Sequence, residues 1–378
     1  MTDPRRARLI VIGPIPPPVH GVTVSTGLVL ANPLLRERFE VEHLDTSDRR
    51  STDNIGSWDL VNVALALKHL AELVGRLRGE RGIVYLPLSQ NTGGVLRDSL
   101  FIQAAARAGW SVTAHLRGSE FRRFYLARGR AFRWWIRRSL RKLDSLAVMG
   151  GSLTSLFDGI VPEGRIAVVP NGTPDLDATA SASRSDRILF LSNLRRRKGV
   201  VESVDAALLV LREEPDTQFV FVGEWEDERL ESLLRRRAQA ANGRIQFLPP
   251  VVGQEKDRLL LSSSILLFPP VEPEGHPRVV LEAMSAGLPV VTTDRGAIAE
   301  TVMDGESGFV LPNPLPAELA DRMLRLLRDK PLRRRMGEAA RQRYLDEFTQ
   351  RQADRRLVDW LEDVARARAL TAAAGGGS

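Results

Sequence analysis

Twelve short apolar runs, three to six residues each, alternate with helix-length stretches along this chain of 378 residues, and few features restrict a fold more tightly. Runs of that length, rich in Val, Ile, Leu and Phe, read as strands buried on both faces; strands separated by helical patterns pair in parallel through crossovers. The first set spans 8–12, 41–44, 83–88, 112–116, 145–149 and 166–169, with helical periodicity at 22–30, 58–77, 97–108 and 131–143. A second set follows at 188–191, 218–222, 245–248, 265–268, 290–293 and 309–311. Between them, 174–186 is small, polar and without period, the composition of a linker. The pattern predicts an α/β chain of two doubly wound, Rossmann-like domains facing one another across a cleft, with ligands at the carboxyl ends of the strands. Beyond residue 315 the pattern is helical only, at 316–328, 331–348 and 352–367, and 371–378 reads as a disordered tail.

Composition narrows the function classes. A hydrophobic content of 43% at this length is enough for two cores. No apolar run approaches the roughly 18 residues of a membrane span. The run at 9–13 is too short for the apolar region of a signal peptide, so residence in the cytoplasm is expected. Zero cysteines exclude disulfides, zinc-thiolate centres and a Cys nucleophile, and the five histidines form no His-x-x-x-His pair, so no metal site is expected.

Charge is informative when divided by position. Residues 1–175 hold 24 Lys and Arg against 16 Asp and Glu, while the remainder is nearly balanced at 30 against 31. Within the basic half, 116–143 carries ten basic residues and one acid, Glu120, interleaved with six aromatic side chains. On a helix over 131–143, Phe132, Trp135, Ile136, Leu140 and Leu143 share one stripe and face a core. Trp134 falls on the opposite side, among Arg130, Arg137, Arg138 and Arg141, which suits docking on an anionic membrane, the indole at headgroup depth. The competing readings are a solvated Arg-rich face and a nucleic-acid surface; no nucleic-acid motif supports the latter, and no nucleic-acid partner is expected.

The stretch Glu274-Gly-His-Pro-Arg-Val-Val-Leu-Glu282 sets two carboxylates across a loop-to-helix junction, the first on a loop after the 265–268 strand and the second inside a helix over 279–286. Amides at the start of that helix, from Arg278 to Val280, lack partners within it and carry partial positive charge, so they can receive a diphosphate. A strand, turn, short helix, Gly turn and strand follow through residue 310. As a whole, 274–312 resembles the donor-binding segment of the GT-B retaining glycosyltransferases of glycosyltransferase family 4.

That resemblance extends over about residues 8–365. It implies a GT-B fold whose last helix crosses back to the first domain: an acceptor-binding domain of 1–175 plus 351–370, and a nucleotide-sugar donor domain of 176–350. It implies transfer of a sugar from a nucleotide-diphosphate donor to an acceptor hydroxyl with retention, in cell-envelope polysaccharide or glycolipid synthesis, with no cofactor and no metal. Glu274 would contact the sugar near the reacting carbon and Glu282 the ribose hydroxyls, with Gly275, His276, Pro277 and Arg278 on the donor between them. In Ser192-Asn-Leu-Arg-Arg-Arg-Lys198, Lys198 matches the lysine that pairs with the leaving diphosphate, while Asn193 stands where the family has Arg; Arg195, Arg196 and Arg197 are all candidates to replace it.

His115, closing the 112–116 strand, matches a histidine set beside the transferred sugar. The loop 13–21, ending in His20 and Gly21, resembles the family's Gly-Gly first loop with His20 in place of the first glycine. Gly223 and the 247–251 stretch would frame the nucleobase. Asp175-Leu-Asp177 matches the metal-binding pattern of glycosyltransferases of another fold, but lies in the linker and is set aside, and the arginines at 333–335 read as a solvated helix face. The expected acceptor is a saccharide or a lipid-linked molecule, and the expected location is the cytoplasm, with peripheral contact on the inner face of the cell membrane. The alternatives are a noncatalytic GT-B partner subunit and a nucleotide-sugar epimerase or phosphorylase on the same architecture.

Overall fold

A computed structural model describes residues 6–17, 21–47, 60–177 and 185–375. The chain divides into two units, one formed by residues up to Pro170 together with those from Ala353 onward, the other by Asn171–Gln352.

The first unit holds β1 (Ala7–Gly13), β2 (Phe39–Asp45), β3 (Ile83–Leu88), β4 (Ser111–Leu116), β5 (Ser145–Val148) and β6 (Ile166–Val168), in the sheet order β2-β1-β3-β4-β5-β6. Every pairing is parallel. The crossovers carry α1 (Gly21–Ala31), α2 (Pro33–Arg38), α3 (Leu60–Arg76), α4 (Thr92–Arg107), α5 (Phe121–Leu126) and α6 (Arg130–Leu140). Three of these helices, α2, α4 and α5, depart from the expected pattern. Asn91 caps α4, its side chain accepting from the Gly94 amide at 2.8 Å, so the helix starts five residues before 97 despite two glycines in its first turn. The unexpected α5 turns Phe121, Phe124 and Tyr125 inward, where Phe121 stacks on Phe157 at 4.6 Å.

The second unit repeats the plan with β7 (Arg187–Leu191), β8 (Gln218–Val222), β9 (Ile245–Leu248), β10 (Ile265–Phe268), β11 (Val290–Thr293) and β12 (Gly308–Leu311), in the order β12-β11-β10-β7-β8-β9, again all parallel. Its helices are α7 (Val200–Glu213), α8 (Glu228–Ala238), α9 (Gly253–Ser262), α10 (Arg278–Ser285), α11 (Ile298–Thr301), α12 (Pro316–Arg328) and α13 (Lys330–Glu347). Successive strand residues point to opposite faces, so each strand feeds two cores. Ile188, Phe190, Phe219 and Phe221 join Val204 and Met323 in one; Leu189, Val220, Val222 and Leu266 join Val280, Met284 and Tyr344 in the other. Each such side chain, fully buried, contributes roughly 1.5–3 kcal/mol.

The last helix, α14 (Gln350–Gly375), returns to the first unit, where Leu357, Val358, Trp360 and Leu361 pack with Leu9, Val11, Tyr85 and Ala147. The Trp360 indole donates to Ser145 Oγ at 2.8 Å. The tail expected at 371–378 is corrected in part: the helix continues through the alanines to Gly375, as the high helix propensity of Ala favours, and 376–378 lie outside the described residues.

The linker expectation is likewise corrected at its start. The Leu176 amide donates to Ser285 Oγ at 2.9 Å and Asp175 is bound by Arg341, which holds its carboxyl below the usual carboxylate range. Residues 178–184 lie outside the described residues. Arg333, read as solvated, pairs with Asp186 at 2.8 Å and keeps only 15% of its side-chain surface exposed.

Candidate active site

Parallel strands all end on one edge of their sheet, so the loops after β7, β8 and β10 converge although the sequence separates them widely. The loop after β7 runs through Asn193 into a single tight turn over Arg196–Lys198. Its Arg197 carbonyl accepts from the amides of Val271 and Glu272 at 3.0 and 3.3 Å, tying it to the loop after β10. Across that seam Lys198 Nζ lies 2.6 Å from Glu274 Oε1, each side chain 17% exposed. The structure thus brings together the two residues that the resemblance assigns to diphosphate and sugar.

Glu282 makes a separate pair. On α10 its carboxylate accepts from Lys256 Nζ at 2.7 Å, with 26% of the lysine and 16% of the glutamate side chain exposed. Lys256 was not among the expected site residues. Its position in the first turn of α9, the helix that follows β9, is the one signal that could have found it. Glu274 and Glu282 therefore each have their own cation.

The start of α10 has no side-chain cap. The Val280 amide is taken up by the Pro277 carbonyl at 3.2 Å, which removes it from the expected set of anion-receiving amides. Arg278, expected as a further cation toward the donor, donates to the Gly172 carbonyl at 2.7 Å. His276, expected on the donor, is buried at 4% exposure: Nδ1 accepts from the Asn171 amide at 3.0 Å, and Nε2 faces Thr301 Oγ1 at 2.9 Å. Gly275 is buried beside it, its carbonyl accepting from the Ala297 amide at 3.2 Å. Gly296 backs the same loop in a left-handed conformation, φ 66°, so close that a Cβ there would lie 1.7 Å from the Glu274 carbonyl oxygen.

Of the remaining donor-side residues, Asn193 is exposed, Arg195 half-buried, and Arg196 and Arg197 exposed. Gly223 passes against the β7 loop: a Cβ there would stand 2.0 Å from the Ser192 carbonyl oxygen. Beyond it Trp225 packs on Phe247 with ring centroids 5.0 Å apart, and the Arg235 guanidinium covers both rings at 5.7 and 5.6 Å. That cluster borders the strand ends expected to frame a nucleobase.

In the first unit, His115 sits within β4 opposite Ala147 of β5 and is 0% exposed. The rings of Tyr85 and Trp360 enclose it edge-on at 6.2 and 6.0 Å. Arg117 donates to Tyr85 Oη at 2.9 Å, and Tyr85 Oη lies 3.3 Å from His115 Nδ1. Burial, and then the Arg117 charge, hold its pKa well below the usual imidazole value, so the ring is neutral. Gly21 opens α1, exposed, with nothing within 4 Å of a Cβ. His20 lies outside the described residues.

Residues 175–343, which contain Lys198, Lys256, Glu274 and Glu282, match the family described as Glycosyl transferases group 1. This segment belongs to that family. Among curated proteins, the chain is 32% identical over 239 residues to a phosphatidyl-myo-inositol mannosyltransferase of Mycobacterium tuberculosis, a match spanning 54% of this chain and 61% of the relative. It is 32% identical over 167 residues to the N-acetyl-alpha-D-glucosaminyl L-malate synthase of Bacillus anthracis, covering 44% and 42%. The chain thus spans about half of these relatives' lengths.

Among solved structures, Anabaena HepE in complex with UDP superposes with a TM-score of 0.72 at 16% identity, covering 94% of this chain and all of the other. A glycosyltransferase from Rickettsia africae gives 0.71 at 16% identity, covering 95% and 99%. The fold is GT-B, two Rossmann-like units. The glycosyltransferase segment carries both lysine–glutamate pairs, whereas His115 and Trp134 lie outside it.

Proposed function

We propose that the chain is a retaining glycosyltransferase that moves a sugar from a nucleotide-diphosphate donor to an acceptor hydroxyl, with donor chemistry in the second unit and acceptor binding in the first. The observation that carries this reading is the Lys198–Glu274 pair beside the uncapped start of α10. In the proposed step the bond between the anomeric carbon and the β-phosphate oxygen breaks, and its electron pair goes to the phosphate. Lys198 and the first amides of α10 stabilise that charge. The acceptor oxygen bonds to the same face of the sugar, and its proton passes to the departing phosphate oxygen.

Glu274, neutralised by Lys198, serves as a hydrogen-bond acceptor for the sugar rather than as a nucleophile. Trapping a glycosyl-enzyme ester on wild type while Glu274→Gln is inactive would contradict that role. Glu282, oriented by Lys256, takes the ribose hydroxyls.

A lipid-linked acceptor at an anionic membrane is the finer reading. Trp134 is 61% exposed with the Arg138 guanidinium 5.5 Å over its ring, and α3 exposes Val63, Leu67 and Val74 at helical spacing. No described helix is long and apolar enough to cross a membrane. The relative that acts on phosphatidyl-myo-inositol, by its name, supports the same acceptor class. The inner membrane face is the proposed location.

The test is a panel of nucleotide sugars incubated with total lipid extract and with soluble saccharides, read by mass spectrometry with and without chelator. Transfer from one donor to a lipid acceptor, insensitive to chelator, is expected. A donor altered without any acceptor would point to an epimerase, donor binding without turnover to a noncatalytic subunit, and loss of transfer with chelator would overturn the metal-free step.

A further inference from the structure

We infer that His276 is a positioning residue: as the Nε2–H tautomer it fastens the Glu274 loop to the segment by which the chain enters its second unit. The tautomer follows from the partners. The Asn171 amide can only donate, so the Nδ1 it approaches at 3.0 Å must present a lone pair. The one proton of the neutral ring is then on Nε2, where it donates to Thr301 Oγ1 at 2.9 Å. Thr301 passes its own proton to the Ala297 carbonyl at 2.8 Å, and the Ala297 amide donates to Gly275, the residue before His276. The chain of bonds closes on the loop from which it starts.

The entry segment grips that loop at two further points. Asn171 Nδ2 donates to the His276 carbonyl at 2.8 Å, and the Gly172 carbonyl accepts from Arg278 at 2.7 Å. The next residue, Thr173, pairs with Thr349 as a parallel bridge, its amide donating to Phe348 at 3.2 Å and its carbonyl accepting from Gln350 and from Tyr344 Oη, each at 2.8 Å. The Phe348 ring lies 5.3 Å from the imidazole. Entry segment, exit segment and the loop of Glu274 thus form one block, with His276 at its centre, both ring nitrogens engaged by protein, and Asn171 105 positions away in sequence.

A side chain in that position acts on the donor only through its neighbours. It fixes the backbone from which Glu274 reaches Lys198 and on which α10 begins. Replacing it by an apolar ring removes the Nδ1 acceptor of the buried Asn171 amide. The functional half of this inference rests on the donor reading above; the tautomer and the amide protection do not.

With only five histidines, selective 15N-histidine labelling of the full chain gives few ring signals, and His276→Asn identifies the one from His276 by its loss. The expected spectrum shows Nε2 protonated and Nδ1 bare; an Nδ1–H ring overturns the proposal. Hydrogen exchange of the 171–176 amides should quicken by about tenfold in His276→Phe. It should stay near wild type in His276→Asn, whose Oδ1 takes the place of Nδ1 as acceptor. Calorimetric affinity for UDP or GDP, whichever binds wild type, should weaken by about tenfold in His276→Phe and recover in His276→Asn. Equal exchange in wild type and His276→Phe refutes the fastening role, and unchanged nucleotide affinity in His276→Phe refutes its action on the donor loop. If neither nucleotide binds wild type, the donor reading fails, while tautomer and exchange still decide this inference.

Discussion

Lys198 Nζ stands 2.6 Å from Glu274 Oε1, with most of both side chains out of water. The pair joins two loops 76 residues apart in sequence and places one positive charge where a diphosphate is proposed to leave. Removing one partner of such a pair strands the other in a poorly solvated site. Lys198→Met is therefore expected to cost roughly 1.5–3 kcal/mol of unfolding free energy, measured by urea titration. It should also lower kcat by about 10²–10³. A variant with wild-type kcat would remove Lys198 from the step.

Lys256 orients Glu282 and touches no reacting atom in the proposed arrangement. Lys256→Met should raise the donor KM by about tenfold while leaving kcat within about twofold, the mark of binding made equally in ground and transition states. Steady-state kinetics at saturating acceptor measure it. A loss confined to kcat would mean that the Glu282 pair acts on the chemistry.

The pH dependence of stability has a definite sign. His115 is held neutral by burial and by Arg117, and His69 is lowered in the same direction by burial and by Arg97. The unfolded chain takes up protons on these rings near pH 6.5, whereas the folded chain does so only at lower pH. Their contribution is complete above that pH and is lost as the pH falls below it. Urea midpoints should be level from about pH 8 to about pH 7 and decline toward about pH 5, more steeply in wild type than in His115→Gln. Identical slopes would contradict the burial of a neutral His115.

Gly296 tests the loop backbone without touching a charge. Its φ of 66° and the 1.7 Å approach of a Cβ to the Glu274 carbonyl mean that Gly296→Ala must displace that loop. Nucleoside diphosphate affinity measured by calorimetry should fall by about tenfold or more, with unfolding made easier by about 1 kcal/mol or more. Wild-type affinity would show that the loop does not bear on the donor.

The strand and helix pattern was legible because period and length decide it locally; every expected strand has a counterpart, most within a residue or two. Glu274, Glu282 and Lys198 were singled out through the resemblance of their segments to the family, and the structure pairs Lys198 with Glu274 and Lys256 with Glu282. What escaped depended on three-dimensional neighbours: Lys256 on Glu282, the Asn91 cap of α4, and the inward aromatic turn of α5. His276 and Arg278 were given to the donor from their place on the loop, and no local pattern reveals that residues 171–172 lie behind it.

Membrane docking has its own measurement. Flotation with anionic vesicles should retain wild type and lose most of the Trp134→Ala variant carrying Arg137→Ser and Arg138→Ser, each removed charge being worth about 1 kcal/mol at the surface. Equal, negligible binding by both proteins would leave the exposed face solvated, without consequence for the donor site.

The loop holding Glu274 and the turn holding Lys198 are proposed to break a sugar–diphosphate bond together. The most direct measurement is release of nucleoside diphosphate from a panel of nucleotide sugars, compared between wild type, Lys198→Met and Glu274→Gln under identical conditions. One donor should be turned over by wild type and far more slowly by both variants. Release at the same rate by all three proteins, or from no donor by any of them, would contradict it.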